Sequence, residues 1–228
     1  MNLRLLQTHI ERFRNYLETA GEFPFLYAWE SQRIFQENWD LDAADFAAMY
    51  DASLQNSSNR RLWKDERYTP KEQMLLFAQA YPGFLRDMFK DLFNENKDAE
   101  NRIDRFLFHC DELLRDYRDT HPDYIETRHY HEDYRMISLY LAFRYPDQYA
   151  IFDDQAFRRF LHSVQGKDIS PVADPGRFFK VMRTVYNLMA KDEALLTAHY
   201  RRLDPDRHFY GKSLLLPLES LQNIVSST

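Results

Sequence analysis

Apolar residues recur every three or four positions along most of this chain, the repeat of a single helical face. Leu3, Leu6, Ile10, Phe13 and Leu17 open the pattern, and Gly21 is placed to stop the first helix. After Pro24, Tyr27, Trp29, Ile34 and Phe35 predict a second. Asp42 is a candidate cap for a third, continued by Phe46, Met49 and Tyr50. Thr69-Pro70-Lys71-Glu72 reads as a helix start, with Thr as cap and Pro at the first position. Tyr81-Pro82-Gly83 interrupts that helix before Phe84, Met88, Phe89, Leu92 and Phe93 resume the spacing.

The broadest apolar stripe lies at 98–119, on Ile103, Phe106, Leu107, Cys110, Leu113, Leu114 and Tyr117. A helix at 132–145 follows and ends at Pro146. Tyr149 to Phe152 suggests a short extended piece. Further helices are expected beyond Asp153 or Asp154, at 175–190 and at 192–202. The apolar tail at 209–225 fits a strand or a short helix equally. No series of alternating strands and no internal repeat is present. The pattern predicts an all-α protein, or nearly so: an irregular bundle of about eight to ten helices with at most a minor strand. We expect a single helical domain over 1–228, with the polar loop at 54–61 (LQNSSNRR) setting off a small N-terminal helical subdomain, 1–55.

Composition narrows the class. Aromatics reach 16%, enough to fill a core and to leave rings for a groove. The 5 glycines leave little room for phosphate-binding loops. One cysteine, Cys110, excludes an internal disulfide and a multi-cysteine zinc site. The N-terminus has no apolar signal core, and no apolar run approaches the roughly 20 residues of a membrane span. A cytoplasmic protein with no membrane partner is the expectation. Charge is uneven: residues 1–156 carry 19 Lys and Arg against 29 Asp and Glu, whereas 157–228 carry 11 against 7. An anionic partner such as DNA would therefore meet the C-terminal third.

Candidate chemistry concentrates at 121–135 (HPDYIETRHYHEDYR). His129 and His131 could ligate a metal if that stretch is extended, because side chains two apart then share a side. On a helix they would diverge by about 200°, and His131 with Glu132 resembles a helix start. A third ligand, such as Asp111, must come from elsewhere. Cys110 lies inside an apolar stripe and reads as a buried structural residue. Gly211-Lys212-Ser213 imitates the end of a P-loop, but Asp206 stands where a glycine is required. No catalytic motif is found and no cofactor is implied. Arg177, Lys180, Arg183, Arg201, Arg202 and Arg207, with Tyr210 alongside, form the candidate nucleic-acid-binding set.

One stretch carries a resemblance. His129 to Phe152 (HYHEDYRMISLYLAFRYPDQYAIF), with Asn101-Arg102-Ile103-Asp104-Arg105-Phe106 upstream, resembles the helical region preceding the AAA+ domain of McrB-like bacterial restriction ATPases. The ATPase itself is absent. The resemblance covers roughly 98–160 and implies a recognition or adaptor role in a restriction or defence system, with a AAA+ ATPase in cis or trans as partner. Three functions follow: a non-enzymatic recognition or adaptor module, possible DNA contact included; a metal-dependent hydrolase or nuclease on the histidine cluster; and a small-molecule or peptide binder with an aromatic-lined pocket.

Overall fold

The computed structural model of the chain describes residues 1–226, and the side chains of 1–223. Among the described residues there are eleven helices and no strand beyond one isolated bridge, Asp65 to Tyr68. They are α1 (Leu3–Thr19), α2 (Leu26–Asn38), α3 (Phe46–Ser53), α4 (Pro70–Ala80), α5 (Pro82–Leu92), α6 (Ala99–Thr120), α7 (Arg135–Arg144), α8 (Asp154–Ser163), α9 (Pro175–Met189), α10 (Glu193–Arg201) and α11 (Leu215–Ser226). The fold is all-α, as the spacing of apolar residues predicts. No helix among the described residues is long and apolar enough to cross a membrane.

The helix starts follow simple chemistry. Asn2, Asp45, Asp98, Asp153, Asp174 and Asp192 each place a side-chain oxygen on a free N–H of the first turn. Pro70, Pro82 and Pro175 sit at first positions, where no N–H is needed. The cap of α3 is Asp45 rather than the expected Asp42, because 39–45 forms a turn before the helix begins. Thr69 precedes Pro70 but makes no capping bond. The tail resolves as a helix, with Pro217 tolerated in its first turn.

The core runs unbroken from Leu6 to Leu221, so the helices of 1–55 share it with the C-terminal ones. α1 packs on α10 and α11, and α2 packs on α3 and α7. Phe89 is the hub of an aromatic cluster: its ring lies 4.9 Å from Trp39, 5.0 Å from Tyr140 and 5.1 Å from Phe106. Edge-on ring pairs of this kind contribute beyond their buried area. α7 is enclosed on all sides, with Met136 through Phe143 all buried. A helix that is apolar all round belongs inside a protein.

The main departure is at 121–134. The sequence suggests that the helix preceding Pro146 begins at 132. In the structure it begins at Arg135, behind a left-handed Tyr134 (φ 62°). Residues 121–134 form a non-helical strap whose side chains reach α4 and α6. Tyr124 donates to Gln73, and its ring meets Tyr117 edge-on at 5.0 Å.

Candidate metal centre

α6 turns Cys110 inward, in register with Ile103, Phe106, Leu113 and Leu114. Asp111, one position on, is rotated by about 100° and faces out. The strap crosses α6 here. Tyr130, also left-handed (φ 63°), reverses the local backbone, and His129 and His131 on either side both turn into the protein. One ligating atom from each of Cys110, His129 and His131 lies within 4.8 Å of the other two. All three residues are buried.

The surrounding hydrogen bonds fix the histidine tautomers. His131 Nδ1 is 2.6 Å from the His129 carbonyl oxygen, which can only accept, so Nδ1 carries the proton. His131 Nε2 is left as a lone pair and receives the Tyr140 hydroxyl at 3.2 Å. Tyr50 in turn donates to Tyr140 at 2.7 Å. His129 Nδ1 receives the backbone N–H of His131 at 3.2 Å, so Nε2 is the protonated nitrogen. That N–H points at Asp111 Oδ1, 3.0 Å away. Each imidazole is therefore oriented by an oxygen acceptor on one nitrogen and keeps a lone pair on the other. Metal-binding histidines are held in this way.

Electrostatics agree with this layout. Burial, with His129 nearby, lowers the pKa of His131 to about 3, so its ring is neutral as a ligand must be. Burial pushes the Cys110 thiol well above its ordinary range, and the Asp111 and Glu132 charges add to the shift. Without a cation Cys110 is a protonated thiol. The carboxylates that disfavour a bare thiolate would favour a cation beside it.

The sequence proposed the two histidines and looked to Asp111 for a third ligand. Asp111 instead orients His129 from behind, and Cys110 supplies the third atom. No spacing rule reaches Cys110, because its position inside an apolar stripe conceals the contact.

The basic candidates are dispersed. The Arg202 side chain is 3% exposed and forms a two-pronged pair, 2.5 Å per bond, with Glu219, itself 1% exposed. It is therefore a core residue, contrary to its expected place on a binding surface. Arg207 pairs with Glu30 at 2.8 Å. Arg177 donates to the carbonyls of Lys167 and Asp168, and Arg183 to that of Gln148. Lys180 and Arg201 are exposed, and Tyr210 rests on Tyr200 with ring centroids 5.0 Å apart. The aromatic surplus lies mostly inside. A 210 Å³ cavity between α3 and α4 has Trp63 as the one aromatic in its lining.

Comparison with protein-family profiles, with curated proteins and with solved structures gives no match.

Proposed function

We propose that this chain is a non-enzymatic, metal-binding recognition or adaptor module, in which a zinc-class ion held by Cys110, His129 and His131 fastens the 121–134 strap onto α6. The observation that carries this reading is the convergence of one sulfur and two oriented imidazole nitrogens within 4.8 Å. One thiolate and two imidazoles suit a borderline-soft divalent ion.

Tetrahedral bonds of 2.0–2.3 Å place donors about 3.3–3.6 Å apart, so binding draws the three side chains together by on the order of 1 Å. The displaced hydrogen bonds, His131 N–H to His129 and Tyr140 to His131, are worth about 1 kcal/mol each. A zinc–cysteine–histidine centre typically supplies about 10 kcal/mol or more, which also covers the proton lost by Cys110. An oxygen would take the fourth position, and the Tyr140 hydroxyl stands 3.2 Å from His131 Nε2.

A sealed ion favours an organising role over catalysis. A hydrolytic metal needs a position open to water and substrate, whereas Cys110 and His131 are fully enclosed. The resemblance to the region ahead of McrB-like ATPases supports a recognition or adaptor role, with chemistry supplied by a partner.

Titration with cobalt(II) tests the reading. The full chain should develop the visible absorption of a tetrahedral cobalt–thiolate centre and saturate near about one ion per chain. Cys110→Ala should lose the sulfur-to-metal band. A featureless titration of the folded wild type would overturn the proposal.

A further inference from the structure

One side of the buried centre is backed by a solvent-exposed residue. Cys110 and His131 are closed in by the core, with Phe106 6.1 Å from the His131 ring and Tyr140 bonded to it. His129 is 1% exposed, yet its Nε2–H ends on Asp111, whose carboxylate is 69% exposed. Asp111 also lines a surface groove of about 390 Å³ with Arg115, Arg118, Asp119 and Tyr124.

We infer that Asp111 and His129 form the gate through which the ion reaches the buried centre. This rests on the metal-binding reading above. The Asp111 carboxylate is the ion's first ligand, and the buried His129 ring behind it swings on its strap to admit the ion to the core.

His129 is suited to that movement. It sits on a non-helical strap rather than within a helix, and Tyr130 beside it already occupies a sparsely populated backbone region. Cys110 is fixed on α6, and His131 is tied to Tyr140 and to the His129 carbonyl. Charge balance points the same way. A divalent ion with one thiolate and two neutral imidazoles leaves one positive charge in the core, and Asp111 supplies the compensating negative charge through His129. The arginines of the groove oppose cation approach, but Arg115 is turned toward Glu112 and Asp116, at 3.8 Å and 3.5 Å. Arg118 remains a local cation, so the approach depends on direct coordination by Asp111 more than on the field of the groove.

Rapid-mixing measurement of zinc uptake by the full chain, with release measured separately by a competing chelator, tests the gate. Asp111→Asn keeps an oxygen able to accept from His129 but removes the charge. It should slow uptake by about tenfold or more, within the span of electrostatic effects on association, while stoichiometry is unchanged. Asp111→Ala should in addition weaken equilibrium affinity by about 10–100-fold, as expected when the partner of a ligating imidazole is removed. Glu18→Gln, which removes an exposed acid outside the groove lining, should leave uptake at the wild-type rate. Equal uptake rates in wild type and Asp111→Asn would overturn the gate. So would a defect confined to faster release, which would leave Asp111 as a positioning residue only. Failure of the wild type to take up zinc at all would overturn the metal reading itself, a separate result.

Discussion

Two buried polar centres of this protein differ in one respect. At the first, Arg202 and Glu219 meet through two bonds of 2.5 Å. Arg202 also donates to His199 Nδ1 at 3.1 Å, and its guanidinium lies over the Phe23 ring. Charge meets charge within the chain, although the buried Arg202 Nε has no hydrogen-bond partner. At the second, one donor atom each of Cys110, His129 and His131 lies within 4.8 Å of the other two, and the imidazole lone pairs accept from the His131 N–H and the Tyr140 hydroxyl. Burial lowers the pKa of His131 and His199 alike to about 3, so burial by itself does not distinguish a ligand from a packed histidine. What distinguishes them is whether the partner is already in the chain. Arg202 finds its counter-charge in Glu219, whereas the partner we propose for the Cys110 centre is a cation from outside the chain.

Breaking the Arg202–Glu219 pair should have the largest effect. Arg202→Met leaves the Glu219 carboxylate buried without its partner, and we expect a loss of about 3–5 kcal/mol in chemical denaturation. The double variant with Glu219→Leu should recover most of it. A mild single variant would show that Glu219 does not depend on Arg202 for its burial. Next in size is zinc. At a free concentration 100 times Kd, it should stabilise the wild type by about 2.7 kcal/mol. Cys110→Ala should abolish that gain while Arg202→Met retains it, which separates the two centres in one experiment.

The third effect is pH dependence. The folded pKa of His199 lies below its unfolded value of 6.5, so between about 3 and 6.5 the unfolded chain binds more protons. Stability therefore falls as pH drops through 6.5. From pH 7 to pH 5, His199 should account for about 2 kcal/mol of loss, read as the difference between wild type and His199→Asn in urea midpoints. The smallest effect belongs to Tyr140→Phe. It strips a donor from His131 Nε2 and an acceptor from Tyr50, at a cost of roughly 1–2 kcal/mol without metal. If zinc rescues that loss, the lone pair of His131 is taken over by the ion.

The two centres also show what a sequence makes legible. Helix positions followed from local rules: α6 appears almost residue for residue from its stripe and Pro175 marks a start, whereas Tyr81-Pro82-Gly83, read as an interruption, places Pro82 at the first position of α5. The strap was misread at its end, because His131-Glu132-Asp133 imitates the acidic first turn of a helix. The left-handed Tyr134 that delays α7 has no local signature, since tyrosine rarely adopts that conformation. His129 and His131 were legible as a pair from their type and spacing. Cys110 was not, because a contact between a helix and a strap about twenty residues away depends on tertiary packing. Arg202 failed for the opposite reason. A basic residue reads as surface until a partner far along the chain, here Glu219, draws it inside.

The central claim is that the Cys110 centre is finished by a metal, and zinc-edge X-ray absorption of the zinc-loaded chain tests it most directly. The account predicts a first shell containing one sulfur at about 2.3 Å and about two imidazole nitrogens near 2.0 Å, with the sulfur lost in Cys110→Ala. A shell of nitrogen and oxygen alone in the wild type, or a purified chain that retains no zinc, would contradict it.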